Sequence, residues 1–197
     1  MDIKNWKQSP KIQEAKEKLE DEKVRGFMRW VFEVVVTLVL AAMVGIMLFQ
    51  TVTMQESSME PTIEVGDRFF INRVVYKFTS PKRGDLIVFR TNASDDAALH
   101  IRRVIGLPGE TVEIKDGKVY IDGSETALDD SFIPEKMQGS FGPYTVPDNC
   151  YFMLGDNRND SKDSRFWKNT FVRFDQIVGK AVVRYYPSIK LLGYEEP

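Results

Sequence analysis

The sequence predicts a mainly β protein: an antiparallel β domain preceded by a single N-terminal transmembrane helix. Three observations carry this. Residues 34–55 form a run of 22 residues without one charge, bounded by Glu33 and Glu56. From residue 57 onward, short alternating runs rich in β-branched and aromatic residues are separated by turn dipeptides. No stretch of that later part keeps a long helical period.

The elements follow in chain order. Residues 1–30 read as a short helix and a cytoplasmic segment. Ser9 can cap it, Pro10 suits the first helical position, and Glu14/Lys18 and Asp21/Arg25 are favourable pairs four apart. Residues 1–29 hold eight Lys/Arg against six acids, with Arg25 and Arg29 nearest the apolar run, which places this end inside the cell. Residues 31–53 are expected to span the membrane, since about 20 residues at 1.5 Å each cross the roughly 30 Å hydrocarbon layer. A cleaved secretory signal has a shorter apolar core of about 7–15 residues. Residues 57–197 are then the extracytoplasmic domain, and the protein is a single-pass protein of the plasma membrane.

Strands are expected at Arg68–Tyr76, Asp85–Phe89 and Lys180–Tyr186. Thr111–Ile114 and Lys118–Ile121 flank Lys115-Asp116-Gly117, a compact hairpin signal. Pro108-Gly109, Asp122-Gly123, Gly142-Pro143 and Pro147-Asp148 supply further turns, and residues 124–146 read as a surface excursion. With 27 basic and 29 acidic residues, the chain has no electrostatic footprint for nucleic acid. One cysteine (Cys150, read as a small core residue) and one histidine exclude an intrachain disulfide and a Cys/His zinc cage. Asp95-Asp96 falls in a polar loop without metal-ligand spacing, and no glycine-rich segment has phosphate-cradle context. No cofactor and no metal are expected.

The chemistry-bearing motifs begin just after the apolar run. Ser57-Ser58-Met59-Glu60-Pro61-Thr62 comes first, with Pro61 holding Glu60 extended and stiffening the segment. Val65-Gly66-Asp67 and Arg83-Gly84-Asp85-Leu86-Ile87-Val88-Phe89 follow. Then come Arg102-Arg103-Val104-Ile105-Gly106-Leu107-Pro108-Gly109-Glu110 and Gly155-Asp156-Asn157-Arg158-Asn159-Asp160-Ser161-Lys162-Asp163-Ser164-Arg165. In this order, behind such a helix, the motifs resemble those of bacterial type I signal peptidases over roughly residues 30–187. The resemblance implies a β-rich catalytic domain on the outer membrane face, near the secretion translocon. It implies a serine endopeptidase that removes signal peptides from exported preproteins after small-x-small sequences. It assigns Ser58 as nucleophile, with its own backbone N–H as an oxyanion donor. Ser161 becomes the hydroxyl that helps hold the base, and Asp163 and Arg165 a supporting ion pair. Ser57 is left as a turn hydroxyl.

Two positions depart from the family pattern. Where the family has its lysine general base, this chain has Arg102, and a guanidinium stays charged and cannot take the serine proton. Two residues before Ser58 stands Glu56, a carboxylate that would oppose a developing oxyanion if it pointed inward. His100 is a candidate replacement base, because on a strand it shares a face with Arg102. Lys162 lies in the last motif at a position expected to be exposed. Two functions therefore stand side by side: an active signal-peptide-cleaving serine peptidase, and an impaired homologue that binds signal-peptide-like segments by strand addition.

Overall fold

The computed structural model describes residues 10–90, 99–131, 133 and 135–193. The expected cap at Ser9 and the Asp95-Asp96 loop lie outside them. The chain divides into two units, Met1–Met47 and Leu48–Pro197.

The described residues of the first unit lie in one helix, α1 (Pro10–Leu48), with no break at residue 30. Within it, the 24 residues Glu20–Met43 are long and apolar enough to cross a membrane, with mean hydropathy 1.8 and no burial against protein. Phe27, Trp30, Phe32, Leu38 and Leu40 are all exposed. Such a ring of bare apolar side chains suits hydrocarbon rather than water. The helix ends earlier than the sequence suggested. Residues 49–53, expected inside the span, form strand β1 (Phe49–Thr53) instead. Their alternating Phe-Gln-Thr-Val-Thr pattern, with Thr and Val at three of five places, favours a strand edge over a further helical turn.

The second unit is built from β1, β2 (Arg68–Asn72), β3 (Leu86–Arg90), β4 (Leu99–Gly106), β5 (Thr111–Lys115), β6 (Lys118–Ile121), β7 (Phe141–Thr145), β8 (Cys150–Leu154), β9 (Val172–Arg173), β10 (Ile177–Tyr186) and β11 (Lys190–Leu191). Among the described residues, eight strands make a sheet in the order β1-β2-β10-β3-β4-β8-β9, with β11 on β10. A second sheet runs β6-β5-β7. The pairings are antiparallel, as expected. Strand β3 lies mid-sheet, and its Leu-Ile-Val-Phe run is buried on both faces. Leu86 and Val88 join Met59, Ile63, Phe69 and Ile71 in one core layer. Ile87 and Phe89 join Val104 and Met153 on the other side.

Local chemistry explains where expectation and structure part. The run from Arg68 stops at Asn72, whose Oδ1 accepts the backbone N–H groups of Val74 (2.9 Å) and Val75 (3.0 Å) and turns the chain into a short 3-10 turn, Val75–Lys77. The 111–121 hairpin closes with Lys115 opposite Lys118, and Asp116 (φ 49°) and Gly117 (φ 75°) are both left-handed, the requirement of a type I′ turn. The 124–146 excursion does not stay outside the sheets. It returns as β7, which pairs with β5.

On β4, Arg102 and Arg103 are neighbours and so point to opposite faces. Both are buried. Arg103 grips Asp156 through Nε–Oδ1 at 2.8 Å and Nη2–Oδ2 at 2.5 Å, and donates to the Gly84 carbonyl at 2.9 Å. Deleting one partner of such a pair leaves an uncompensated buried charge, at a cost of about 3–5 kcal/mol. Asp156→Ala should therefore lower unfolding stability by that amount, read by urea titration of the detergent-solubilised protein.

Candidate active site

Three pieces of chain meet at one end of the large sheet. The first is the turn that follows β1. Glu56 is extended (φ −123°, ψ 150°), Ser57–Met59 make one 3-10 turn, and Glu60 is extended again (φ −64°, ψ 143°), as expected before Pro61. Met59 is fully buried and pins the turn to the core, which leaves Ser58 almost buried at 4% exposure. The second piece is β4, presenting His100 and Arg102. The third is the 155–165 loop.

Glycine at 155 makes the meeting possible. A Cβ there would lie 2.2 Å from Ser161 Oγ and 2.5 Å from the Ser58 carbonyl oxygen. With no side chain in the way, Asn157 donates its backbone N–H to the Ser58 carbonyl at 3.1 Å and its side-chain amide to the Ser57 carbonyl at 3.2 Å. The loop is stiffened from behind by Asp163 and Arg165. Arg165 donates Nε to Oδ1 at 2.8 Å and Nη2 to Oδ2 at 2.7 Å, and Gly155 N–H donates to the same carboxylate at 3.1 Å. The expected ion pair is thus present, but on a turn and not on one face of a strand, because Asp163 uses its carboxylate to cap its own loop.

Ser58, His100, Arg102 and Ser161 line one open groove of about 850 Å³, with Phe166 and Trp167 as apolar wall. Ser57 lies at its rim, an exposed hydroxyl donating to Asp160 Oδ2 at 2.9 Å. Lys162 is exposed, as expected, and contributes its backbone carbonyl instead of its amine. Cys150 is half-buried at the edge of the small-sheet core, where burial pushes its thiol up.

Arg102 is 2% exposed and donates to the Ile101 carbonyl (2.6 Å), the Lys162 carbonyl (2.9 Å) and Glu56 Oε2 (3.2 Å). Burial pulls its pKa down and the Glu56 carboxylate opposes that pull. With a counter-ion in contact it remains a cation. Ser161 Oγ is buried and has no hydrogen-bond partner, so the hydroxyl expected to hold a base holds none here.

Glu56 is the residue whose part sequence reasoning missed. Expected as an obstacle, it is the hub. Ser58 Oγ donates to its Oε2 at 3.4 Å, Arg102 donates to the same oxygen, and His100 Nδ1 lies 3.2 Å from Oε1. The His100 imidazole beside it, then the charge of Arg102, hold its carboxyl well below the usual range, at about 2. The expected shared face of His100 and Arg102 is real, since both reach one carboxylate. The missed signal was the joint departure: an acid gained at 56 together with a fixed cation at 102.

A buried serine on an otherwise β-built domain, with charged partners in an open groove and a long apolar helix ahead of it, defines a serine-peptidase type of site on an anchored scaffold. Comparison with known proteins gives the family. The signal peptidase, peptidase S26, family matches residues 27–186. The chain is 42% identical over 135 residues to probable signal peptidase I-2 of Synechocystis, covering 66% of this chain and 60% of that protein. It is 33% identical over 179 residues to signal peptidase I T of Bacillus subtilis, covering 87% of this chain and 91% of that protein. A crystal structure of a signal peptidase I from Enterococcus faecalis is 32% identical with a TM-score of 0.44, covering 52% of this chain and 97% of that one. The chain belongs to the signal peptidase family, peptidase S26.

Because the three segments meet only where residue 155 lacks a Cβ, Gly155→Ala must push Ser58 and Ser161 apart. Overpacking of this kind costs about 1–3 kcal/mol. A displacement near 1 Å at a reacting group costs on the order of a hundredfold in rate. Preprotein cleavage by Gly155→Ala should fall by about that factor while thermal unfolding shifts only modestly.

Proposed function

We propose that this protein is a membrane-anchored serine endopeptidase that removes N-terminal signal peptides from exported preproteins by cleavage after small-x-small sequences, with Ser58 as nucleophile. The observation that carries this reading is Ser58 itself, held by its own carbonyl to Asn157 in the groove that Arg102 and Ser161 also line. Family membership supplies the substrate class.

Substrate would enter as an extended segment. Among the described residues β1 pairs with β2 on one side only, and a groove of about 380 Å³ runs beside it between Gln50–Glu56 and Leu99–Ile101. Main-chain hydrogen bonds to an open strand edge suit a variable sequence, because they read backbone and not side chains. Such a segment leads toward Ser58, five residues after β1 ends. Ser58 Oγ then attacks the scissile carbonyl, and the Ser58 backbone N–H would receive the developing oxyanion. Arg102 lends a fixed positive charge but takes no proton.

The arrangement in the membrane belongs to the same proposal. The basic residues before the apolar run, Arg25 and Arg29 among them, support a cytoplasmic N-terminus and an outer-face domain, with the anchor within α1; a place near the translocon follows only from the substrate class. The second reading, a homologue that binds such segments without efficient cleavage, rests on Arg102 alone.

One assay separates these readings. The purified full-length protein, incubated with a labelled preprotein, should release the signal peptide. Ser58→Ala should lose at least about a thousandfold, as loss of a nucleophile does. Ser57→Ala should retain most activity, since its hydroxyl faces Asp160. Binding of the preprotein with no turnover in the wild type would establish the second reading. Separately, protease added to intact spheroplasts should digest the C-terminal domain and spare the N-terminal segment; the reverse pattern would overturn the orientation.

A further inference from the structure

We infer that Glu56 is the proton acceptor for Ser58 in this enzyme, standing in for the missing lysine, with His100 and Arg102 as the residues that position it. The inference rests on the peptidase reading above. Glu56 Oε2 accepts the Ser58 Oγ hydrogen bond. Arg102 cannot accept a proton, Ser161 Oγ touches no base, and His100 turns its Nδ1 to Glu56. Arg102 Nη2 also donates to Oε2, and His100 Nδ1 lies 3.2 Å from Oε1 without completing a hydrogen bond. The Arg102 bond limits how far the carboxylate can swing away from the serine.

The step balances within these groups. As Oγ bonds to the scissile carbonyl carbon, its O–H bond breaks and the proton passes to Glu56 Oε2, while the carbonyl π pair moves to oxygen. Collapse of the tetrahedral intermediate breaks the C–N bond, and the Glu56 acid gives its proton to the departing amine. Water repeats the sequence on the acyl-enzyme, its proton passing to Glu56 and then to Ser58 Oγ. Arg102 keeps the carboxylate ionised and, beside it, offsets its repulsion of the oxyanion. Titratable and charged groups facing Glu56 are His100 and Arg102 from β4, with Asp160 and Lys162 across the groove and Asp163 behind Arg102. A carboxyl lowered to about 2 is a weak base, so turnover is slow but insensitive to mild acid.

The test is the pH profile of preprotein cleavage by the detergent-solubilised full chain between pH 4 and 9, for wild type and three variants. Wild type should be flat from pH 4 to 7, with no inflection near the ordinary histidine value of about 6.5. Glu56→Gln, nearly isosteric at a half-exposed position, should lose about a hundredfold or more with little change in melting temperature. His100→Ala should lose several-fold and acquire an acid limb near pH 4, because the carboxyl loses the imidazole that lies 3.2 Å from its Oε1. Glu56→Gln/Arg102→Lys should regain cleavage with a rate that climbs with pH as the lysine deprotonates.

Equal rates for wild type and Glu56→Gln would overturn the inference, as would a wild-type inflection near 6.5 that vanishes in a dead His100→Ala. Loss in Glu56→Gln accompanied by a lowered melting temperature and no recovery in the double variant would make Glu56 merely structural, and overturn it too. An inactive wild type beside an active double variant would refute Glu56 as base and establish the second reading, a site that binds without cleaving. Inactivity of all four would refute that reading and this inference with it.

Discussion

The site depends on a close backbone crossing at Gly155, and the loop that makes it is held in place by buried ion pairs. Residues 155–165 contain no strand or helix, so their shape must come from side chains. Asp156 ties the front of the loop to Arg103 on β4, and Asp163 ties its end to Arg165. Both pairs are bidentate and both carboxylates are essentially without solvent contact. Arg165 also lies over the rings of Phe141 and Phe166, 5.5 and 4.9 Å from their centroids. Burying four charges is costly, and apolar residues of similar volume could stabilise as well. What apolar residues could not do is fix the direction of a loop to a fraction of an ångström. The Ser58 turn, which leans on Gly155 and Asn157, inherits that fixity.

Charge balance explains why Glu56 and Arg102 belong together. A guanidinium at 2% exposure calls for negative charge in contact with it, since Asp163 acts on it only from a distance. Glu56 supplies the negative charge. Conversely, a carboxylate two residues from the nucleophile would repel the oxyanion if left uncompensated, and Arg102 supplies the positive charge. Each side chain makes the other tolerable. The pair also changes the chemistry: a lysine base must shed its proton before it can act, whereas this pair presents an ionised acceptor at every ordinary pH.

Much of this was legible in the sequence, for identifiable reasons. The apolar run, the Asp116-Gly117 turn and the buried Leu86–Phe89 strand each carry a strong local signal, and each appears in the structure. Boundaries were harder. Thr51 and Thr53 are uncharged, so hydropathy alone extended the span over a strand that only its pairing with β2 reveals. Asn72 ended a run that reads as strand through Tyr76, because an Asx turn outcompetes another four residues of ladder. The motifs located Ser58, Arg102 and Ser161 on one groove. They said nothing of Glu56 as hub, since that depends on how far an extended 56–58 segment reaches toward β4, a distance set by tertiary packing of Met59.

The unsatisfied atoms at the site argue in the same direction. Arg102 Nε, Ser161 Oγ and His100 Nδ1 are all buried without a hydrogen-bond partner, although each could bond in other surroundings. Arginine reaches past the hydroxyl to two carbonyls and Glu56, because its planar fork demands acceptors spread around it. A compact ammonium makes no such demand and can take a single hydroxyl acceptor. The polar lining around Ser161 therefore fits a smaller cation better than the one it holds, whereas the Glu56 side of the groove fits arginine. One half of the site keeps the shape suited to a lysine base; the other half is built around a carboxylate. A proton acceptor on the Glu56 side uses the half that holds the Ser58 hydroxyl.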